Sequence, residues 1–340
     1  FAAYCGARHC VGVANGTDAL VLALRALGVG PGDAVLTVPF TFLASVEAID
    51  LAGAEPLLVD IDERDFTIDV AAAERVLRER EVKAVIAVHL YGQPADMVRL
   101  VEVARRHGAA VVEDAAQAHG ARLSCDGRWR RVGSMGDIGC FSFYPTKNLG
   151  ALGDAGAVTT DSAPLAERLR LLHDHGQAAK YRHVLRGATN SRLDGLQAAV
   201  LRLKLRHLDA WNEARRAAAR RYESLLAGLP LRLPWVRPGA ESVHHQYVVR
   251  LQGRDLVQER LGVAGIQTAI HYPVPVHLQE AYRSLGHRRG AFPASEKCAA
   301  EVLSLPLSPT LAEAQQVRVA RALAEALGAP PASDAPRQPT

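Results

Sequence analysis

Short apolar runs alternate with amphipathic segments from residue 10 to about residue 115, and this rhythm restricts the fold more than any single motif does. Runs at 10–14, 34–38, 56–59, 82–88 and 109–112 have the length and apolar character of buried strands. The stretches at 17–27, 42–51, 70–80 and 95–107 read as amphipathic helices. In the first of them, apolar residues recur at 20, 21, 24 and 27, the spacing of one helix face. Steady strand–helix alternation predicts an α/β protein with a largely parallel sheet. Such sheets bind ligands beyond the carboxyl ends of their strands, so the residues that follow each strand carry the functional information.

After the first strand comes Asn15-Gly16-Thr17. A strand, a tight glycine turn and a helix start make a natural phosphate site, because free backbone N–H groups and the helix dipole point at the ligand. The same residues also suit an ordinary helix cap. Asn-Gly-Thr is a glycosylation sequon as well, a reading set aside because the chain shows no secretory signal. Gly28-Val29-Gly30-Pro31-Gly32 lacks the GxGxxG order and no helix directly follows it, which argues against a nicotinamide dehydrogenase.

The strand at 109–112 ends in Glu113-Asp114-Ala115-Ala116-Gln117-Ala118-His119-Gly120. A carboxylate there suits a ligand site, and equally a helix cap or an ion pair. A further apolar run, 138–143, delivers Lys147 into a turn carrying Gly150, Gly153 and Gly156. Arginines outnumber lysines 35 to 5, so a lysine retained between Thr146 and Asn148 stands out against the chain's habit. Unlike arginine, a desolvated lysine loses its proton near neutral pH and attacks carbonyls. A solvated loop cation is the plain alternative. Lysine and aspartate together match what pyridoxal phosphate (PLP) requires: an amine to hold it and an acid to keep its pyridine nitrogen protonated. Ser142 stands five residues before the lysine, either as a phosphate ligand or as a local backbone partner.

The remaining properties bound the answer. A net charge of +4 arises from 40 basic and 36 acidic residues in mixed order, with no block to engage nucleic acid. No apolar run reaches the length of a membrane span and no signal peptide opens the chain, so a soluble, cytoplasmic protein is expected. Five cysteines without a CxxC pair indicate neither a disulfide framework nor a zinc site, and no metal is expected. The chain begins without methionine and almost at once enters a strand, so an N-terminal piece is expected to be missing. Residues 1–205 read as a large domain and 193–227 as one long helical pattern, of which 206–228 would link to a smaller α+β domain at 229–328. That smaller domain is expected to hold strands at 232–235, 246–251 and 267–271 and a helix at 311–327. The polar, proline-rich residues 329–340 are expected to be disordered.

Seven motifs carry a resemblance: NGTDAL (15–20), PFTF (39–42), VHLYGQPADM (88–97), VVEDAAQAHGA (111–121), GDIGCFSFYPTKNLGALGDAGAV (136–158), NSRLDGLQAAVL (190–201) and HYPVPVHLQEAY (271–282). They are long, ungapped and span nearly the whole chain. In them the sequence resembles the PLP-dependent sugar aminotransferases of the DegT/DnrJ/EryC1/StrS group, with the aspartate aminotransferase-like fold (fold type I). That resemblance implies a mixed, mostly parallel sheet in the large domain. It implies that Lys147 forms the Schiff base, Asp114 partners the pyridine nitrogen and Gln117 neighbours the phenolate oxygen. Gly16, Thr17 and Ser142 would hold the phosphate, and Phe42 would stack on the ring. Asn190 would reach the phosphate from the other subunit of a homodimer with shared active sites. L-glutamate would leave its amine on the cofactor as pyridoxamine phosphate (PMP), and a nucleotide-linked keto-sugar would take it up.

Members acting on carbon 4 commonly carry Lys-x-Ile-Thr-Thr-Gly-Glu-Gly-Gly after the lysine, whereas this chain reads KNLGALGDAGA, like members acting on 3-keto sugars. A dTDP-linked 3-keto-6-deoxyhexose, made for an antibiotic or a surface glycan, is the expected acceptor. Tyr181, His183, His271 and Tyr272 are expected to line the sugar site. The alternatives are a 4-keto acceptor and a non-catalytic PLP-fold protein serving as a binding or regulatory partner. A related dehydratase would carry histidine at position 147.

Overall fold

The computed structural model describes residues 1–329. The alternation builds strands β1 (His9–Val13), β2 (Ala34–Thr37), β3 (Glu55–Leu58), β4 (Ala84–Val88) and β5 (Ala110–Asp114). A hairpin, β6 (Arg122–Cys125) and β7 (Arg128–Arg131), precedes β8 (Ile138–Ser142) and β9 (Gly156–Thr160). One seven-stranded sheet has the order β1-β9-β8-β5-β4-β2-β3. Strands β8, β5, β4, β2 and β3 are parallel to one another, while β9 runs antiparallel to both β8 and β1. The sheet is therefore α/β and mostly parallel, with a single reversed strand.

The connecting helices are α1 (Ala2–Cys5), α2 (Gly16–Ala26), α3 (Ala44–Ala52), α4 (Val70–Glu79), α5 (Met97–Arg106) and α6 (Ala163–Leu172). Every residue of β2 and β4 is buried, as expected for strands covered on both faces. The main core joins this sheet to α2, whose Leu20, Leu22 and Leu24 are almost fully enclosed. Each such side chain contributes about 1.5–3 kcal/mol.

The helical pattern at 193–227 is not one helix. It divides into α7 (Gly195–Lys204), a 3₁₀ turn at Leu205–His207 and α8 (Leu208–Leu225). No breaker residue marks the join, so the periodicity carries no sign of it. The two helices differ in burial: α7 buries only Leu201, whereas α8 buries Leu208, Asn212, Arg215, Ala219 and Tyr222 along one face. After α6 the chain forms a small hairpin, Gln177–Ala179 with Arg182–His183, turning at Tyr181 with φ of 64°.

A second core gathers Tyr222, Tyr247, Leu261, Leu303 and Leu323. It packs α8 and two further helices, Arg254–Val263 and Glu313–Ala326, on the antiparallel pair Tyr247–Arg250 and Val302–Leu305. The strands expected at 232–235 and 267–271 shrink to single bridges, Arg232–Arg250 and Ala269–Ser304. Pro234 has no N–H with which to extend the first ladder. Of the tail expected to be disordered, residues 330–340 lie outside the described residues.

Candidate active site

Register brings the chemistry to one edge of the sheet. Val88 pairs with Asp114 and Asp114 with Cys140, so the carboxyl ends of β4, β5 and β8 stand side by side. Val13 pairs with Gly156 and Gly156 with Ser142, which sets the start of α2 beside the end of β8. A Cβ on Gly16 would come within 2.6 Å of the Ser142 Cβ, and one on Gly156 within 2.3 Å of the Asn15 carbonyl oxygen. Glycine is the only residue that permits this approach. A cavity of about 720 Å³ opens at this edge, a size that houses small ligands.

At one end, the Asn15 side chain accepts from the Asp18 N–H at 2.8 Å and caps α2. The N–H groups of Gly16 and Thr17, in the first turn, have no partner within the helix. Both residues line the cavity with Ser142 opposite. The Asn15 cap leaves the N–H groups of Gly16 and Thr17 at the cavity, so the two alternatives offered by the sequence do not exclude each other. Ser142 Oγ also accepts weakly from the Tyr144 N–H at 3.3 Å.

Lys147 also lines the cavity, on a loop pinned by its own N–H to the Tyr144 carbonyl (2.9 Å) and by the Ala151 N–H to the Phe143 carbonyl (2.7 Å). Its neighbour Asn148 is buried and fixes the loop from beneath. The Asn148 amide donates to Asn212 Oδ1 (2.9 Å) and to the Val243 carbonyl (3.1 Å), and its oxygen accepts from His245 Nδ1 (3.1 Å). Burial holds the Lys147 pKa below the ordinary lysine range, and the Asp114 carboxylate opposes part of that shift. Burial, reinforced by Lys147, also lowers the pKa values of His245 and His271, the former far below the usual histidine range.

Asp114 ends β5 and faces the cavity. Its Oδ2 accepts from Ser45 Oγ at 2.7 Å and its Oδ1 from the Ala116 N–H at 3.2 Å. Gln117 is fixed at both ends, accepting from the Tyr91 N–H (2.7 Å) and donating to the Tyr272 hydroxyl (3.2 Å). Burial pushes that phenol up to about 12, against the Gln117 hydrogen bond and with help from Asp114, so it stays protonated. The Tyr91 hydroxyl donates to the His271 carbonyl, tying the segment of His271 and Tyr272 to the main sheet. Phe42 is 56% exposed, an aromatic face left open within the cavity, with its ring 5.9 Å from that of Tyr272.

Glu113 points to the other side of β5. It is wholly buried and accepts four hydrogen bonds, from His89 Nε2 (3.0 Å) and the N–H groups of Gly133 (2.8 Å), Met135 (2.7 Å) and Gly136 (2.7 Å). Its role is to hold the turn that leads into β8.

These residues fit PLP. The half-buried cradle at Gly16, Thr17 and Ser142 suits a phosphate, the carboxylate of Asp114 suits a pyridinium, the open face of Phe42 suits a ring, and Lys147 is a desolvated amine. Eight expected residues, Lys147, Asp114, Gly16, Thr17, Phe42, Gln117, Ser142 and Tyr272, share the cavity with a ninth, His271. Three others do not. Tyr181 and His183 lie on the projecting hairpin, Tyr181 81% exposed and His183 turned to donate to the His175 carbonyl, so neither lines the cavity of its own chain. Asn190 is exposed beside Ser191, whose hydroxyl donates to Asp18 Oδ2 at 2.6 Å. Sequence reasoning missed Ser45, Asn148, Asn212 and His245. Ser45 and Asn212 were detectable as polar residues placed on the buried faces of α3 and α8.

Among the described residues no group of three or more His, Cys, Asp or Glu side chains stands close enough to hold a metal ion, and no helix is long and apolar enough to cross a membrane.

Known proteins share this sequence pattern and fold. The chain is 50% identical over 326 residues to the dTDP-3-amino-3,4,6-trideoxy-alpha-D-glucose transaminase of Streptomyces venezuelae, covering 96% of this chain and 84% of that protein. The crystal structure of S. venezuelae DesV in complex with a ketimine intermediate superposes with a TM-score of 0.92 at 49% identity, over 96% of this chain and 86% of that one. The ntda protein of Bacillus subtilis, solved with bound PMP, gives a TM-score of 0.88 at 31% identity, over 96% and 75% of the two chains. Residues 1–324 match a single family along their whole length. The chain belongs to the DegT/DnrJ/EryC1/StrS aminotransferase family, PLP-dependent enzymes of the aspartate aminotransferase-like fold.

Proposed function

We propose that the protein transfers the amino group of L-glutamate to carbon 3 of a dTDP-linked 3-keto-6-deoxy sugar. The observation that carries this reading is one cavity that unites Lys147, Asp114 and the Gly16–Thr17–Ser142 cradle, in a chain half identical to a transaminase named for a dTDP-3-amino sugar. When bound, PLP supplies an electron sink and carries the amino group between donor and acceptor. Gly16, Thr17 and Ser142 would hold its phosphate, Phe42 its ring face, and Gln117 the oxygen beside the reacting carbon. Asp114 would keep the ring nitrogen protonated. Lys147 would hold the cofactor at rest and, once released, take and return protons at the substrate carbon. Its pKa, lowered by burial, favours the neutral amine that accepting a proton requires.

A homodimer with shared sites belongs to this reading. Among the described residues the cavity lining holds one lysine, no arginine and the carboxylates of Asp18, Asp114 and Asp154, so beyond the backbone cradle it offers little positive charge to a sugar diphosphate. A second copy would bring Asn190 to the phosphate, and the hairpin with Lys180, Tyr181, Arg182 and His183 to the nucleotide sugar. The exposed apolar side chains of Tyr144, Leu152, Leu196 and Leu203 support such a contact. The division into a large domain (1–205), a linking segment (206–228) and a small domain (229–328), and a cytoplasmic setting for five free cysteines, complete the proposal. The test is to convert the protein to its PMP form and add 3-keto and 4-keto nucleotide sugars. Return of the PLP spectrum with the 3-keto sugar supports the reading. Return with the 4-keto sugar alone moves the reaction to carbon 4, and return with neither favours a binding or regulatory protein.

A further inference from the structure

Ser45 and Thr41 are both buried beneath the cavity, Ser45 with no exposed surface at all. A serine in the first turn of a helix commonly satisfies its hydroxyl on nearby backbone. Ser45, in α3, instead donates to Asp114, 69 residues away in sequence, at 2.7 Å. An ionised carboxylate only accepts, so the Ser45 proton lies toward Asp114 Oδ2. The Ser45 oxygen is thereby left to accept from Thr41 Oγ1, 3.0 Å distant. The two hydroxyls form a directed chain, Thr41 to Ser45 to Asp114. The other carboxylate oxygen is tied by the Ala116 N–H at 3.2 Å. With both oxygens held, the plane of the carboxylate is set before any ligand arrives. Thr41 also adjoins Phe42 in sequence, so one short segment carries both the aromatic face and the anchor of the acid.

We propose that Ser45, supported by Thr41, is a positioning residue that fixes the Asp114 carboxylate toward the cofactor's ring nitrogen. The inference rests on the role proposed for Asp114 above. Preorganised contacts of this kind lose their effect when the supporting donor is removed, even though the charge remains.

The test uses full-length Ser45→Ala, Ser45→Thr, Thr41→Val, Asp114→Asn and the Ser45→Ala/Asp114→Asn double variant, each loaded with PLP carrying ¹⁵N in the ring. Two quantities are read: the ¹⁵N shift of the bound ring in the absence of substrate, and the rate constant of the glutamate half-reaction. Ser45→Ala should slow the half-reaction by about ten- to a hundredfold, the loss of one hydrogen bond to a charged group, and move the ¹⁵N signal toward the unprotonated ring. Ser45→Thr should restore both. Thr41→Val, which keeps the shape of the side chain, should shift both in the same direction by less. In the Asp114→Asn background, Ser45→Ala should add less than about twofold, because the group through which it acts is gone. A wild-type ¹⁵N signal in Ser45→Ala and Thr41→Val, or an undiminished effect in the Asp114→Asn background, overturns the inference while leaving Asp114 in place. A wild-type signal and rate in Asp114→Asn would overturn the underlying reading as well.

Discussion

Glu113 and Asp114 are consecutive carboxylates on one strand, and they mark two different kinds of region. Glu113 faces inward, accepts four hydrogen bonds and has no exposed surface. Asp114 faces the cavity with two donors and keeps acceptor capacity for a ligand. Pleating alone separates them, since successive side chains of a strand point to opposite faces. On one face the acid completes the protein. On the other it is left open to the cavity.

That contrast is open to attack by substitution. The largest effect on chemistry is expected from Asp114→Asn, which should slow the glutamate half-reaction by roughly two to four orders of magnitude while the apoprotein melts close to wild type. Stopped-flow kinetics and calorimetry on the same samples check both halves of the claim, and wild-type turnover would make Asp114 a structural acid like its neighbour.

Glu113→Ala should do the reverse. It strands the His89 Nε2–H and three backbone N–H groups, so urea unfolding of the apoprotein should show a loss of about 3–5 kcal/mol. The half-reaction rate per folded site should change far less than in Asp114→Asn. Burial alone would raise the Glu113 pKa, but His89 and the N–H groups of Gly136 and Gly133 outweigh it and hold it below the ordinary value. A depressed folded-state pKa gives stability that is present above the unfolded pKa and lost as pH falls through the folded one. The wild type should therefore weaken with acid along that path, and Glu113→Gln should show a flatter acid limb.

The smallest effect concerns Lys147. Burial lowers its pKa and Asp114 raises it, so removing the carboxylate should lower it further. Mildly alkaline labelling of the apoprotein with a small amine reagent, followed peptide by peptide, should give Lys147 a lower pH midpoint than the other lysines. In Asp114→Asn that midpoint should fall again. A rise would show that the two groups do not sense each other across the cavity.

Much of this was legible without coordinates. The strands and helices that build the sheet follow from apolar periodicity, and Lys147, Asp114, Gly16 and Ser142 stand where strands end, so their convergence follows from the topology of a parallel sheet. Less legible was what depends on long-range hydrogen bonding. Nothing local to Ser45 or Asn148 indicates a partner 69 or 97 residues away. The 3₁₀ turn at Leu205–His207 left no trace because residues of ordinary helical character form it. By contrast, the hairpin of β6 and β7 had a local signal that went unused, the Asp126-Gly127 pair, both with positive φ. Tyr181 and His183 show a further limit: expected at the sugar site, they stand on an exposed hairpin outside the cavity of their own chain.

The central claim is that Lys147 is the amine that holds PLP in this cavity. Borohydride reduction of the PLP-loaded protein, followed by proteolysis and mass spectrometry, tests it directly, because only five lysines compete for the label. The account predicts a phosphopyridoxyl group on the Lys147 peptide in near-unit yield and none on Lys83, Lys180, Lys204 or Lys297. Label on any of those four, or a PLP-loaded protein without label on Lys147, would contradict it.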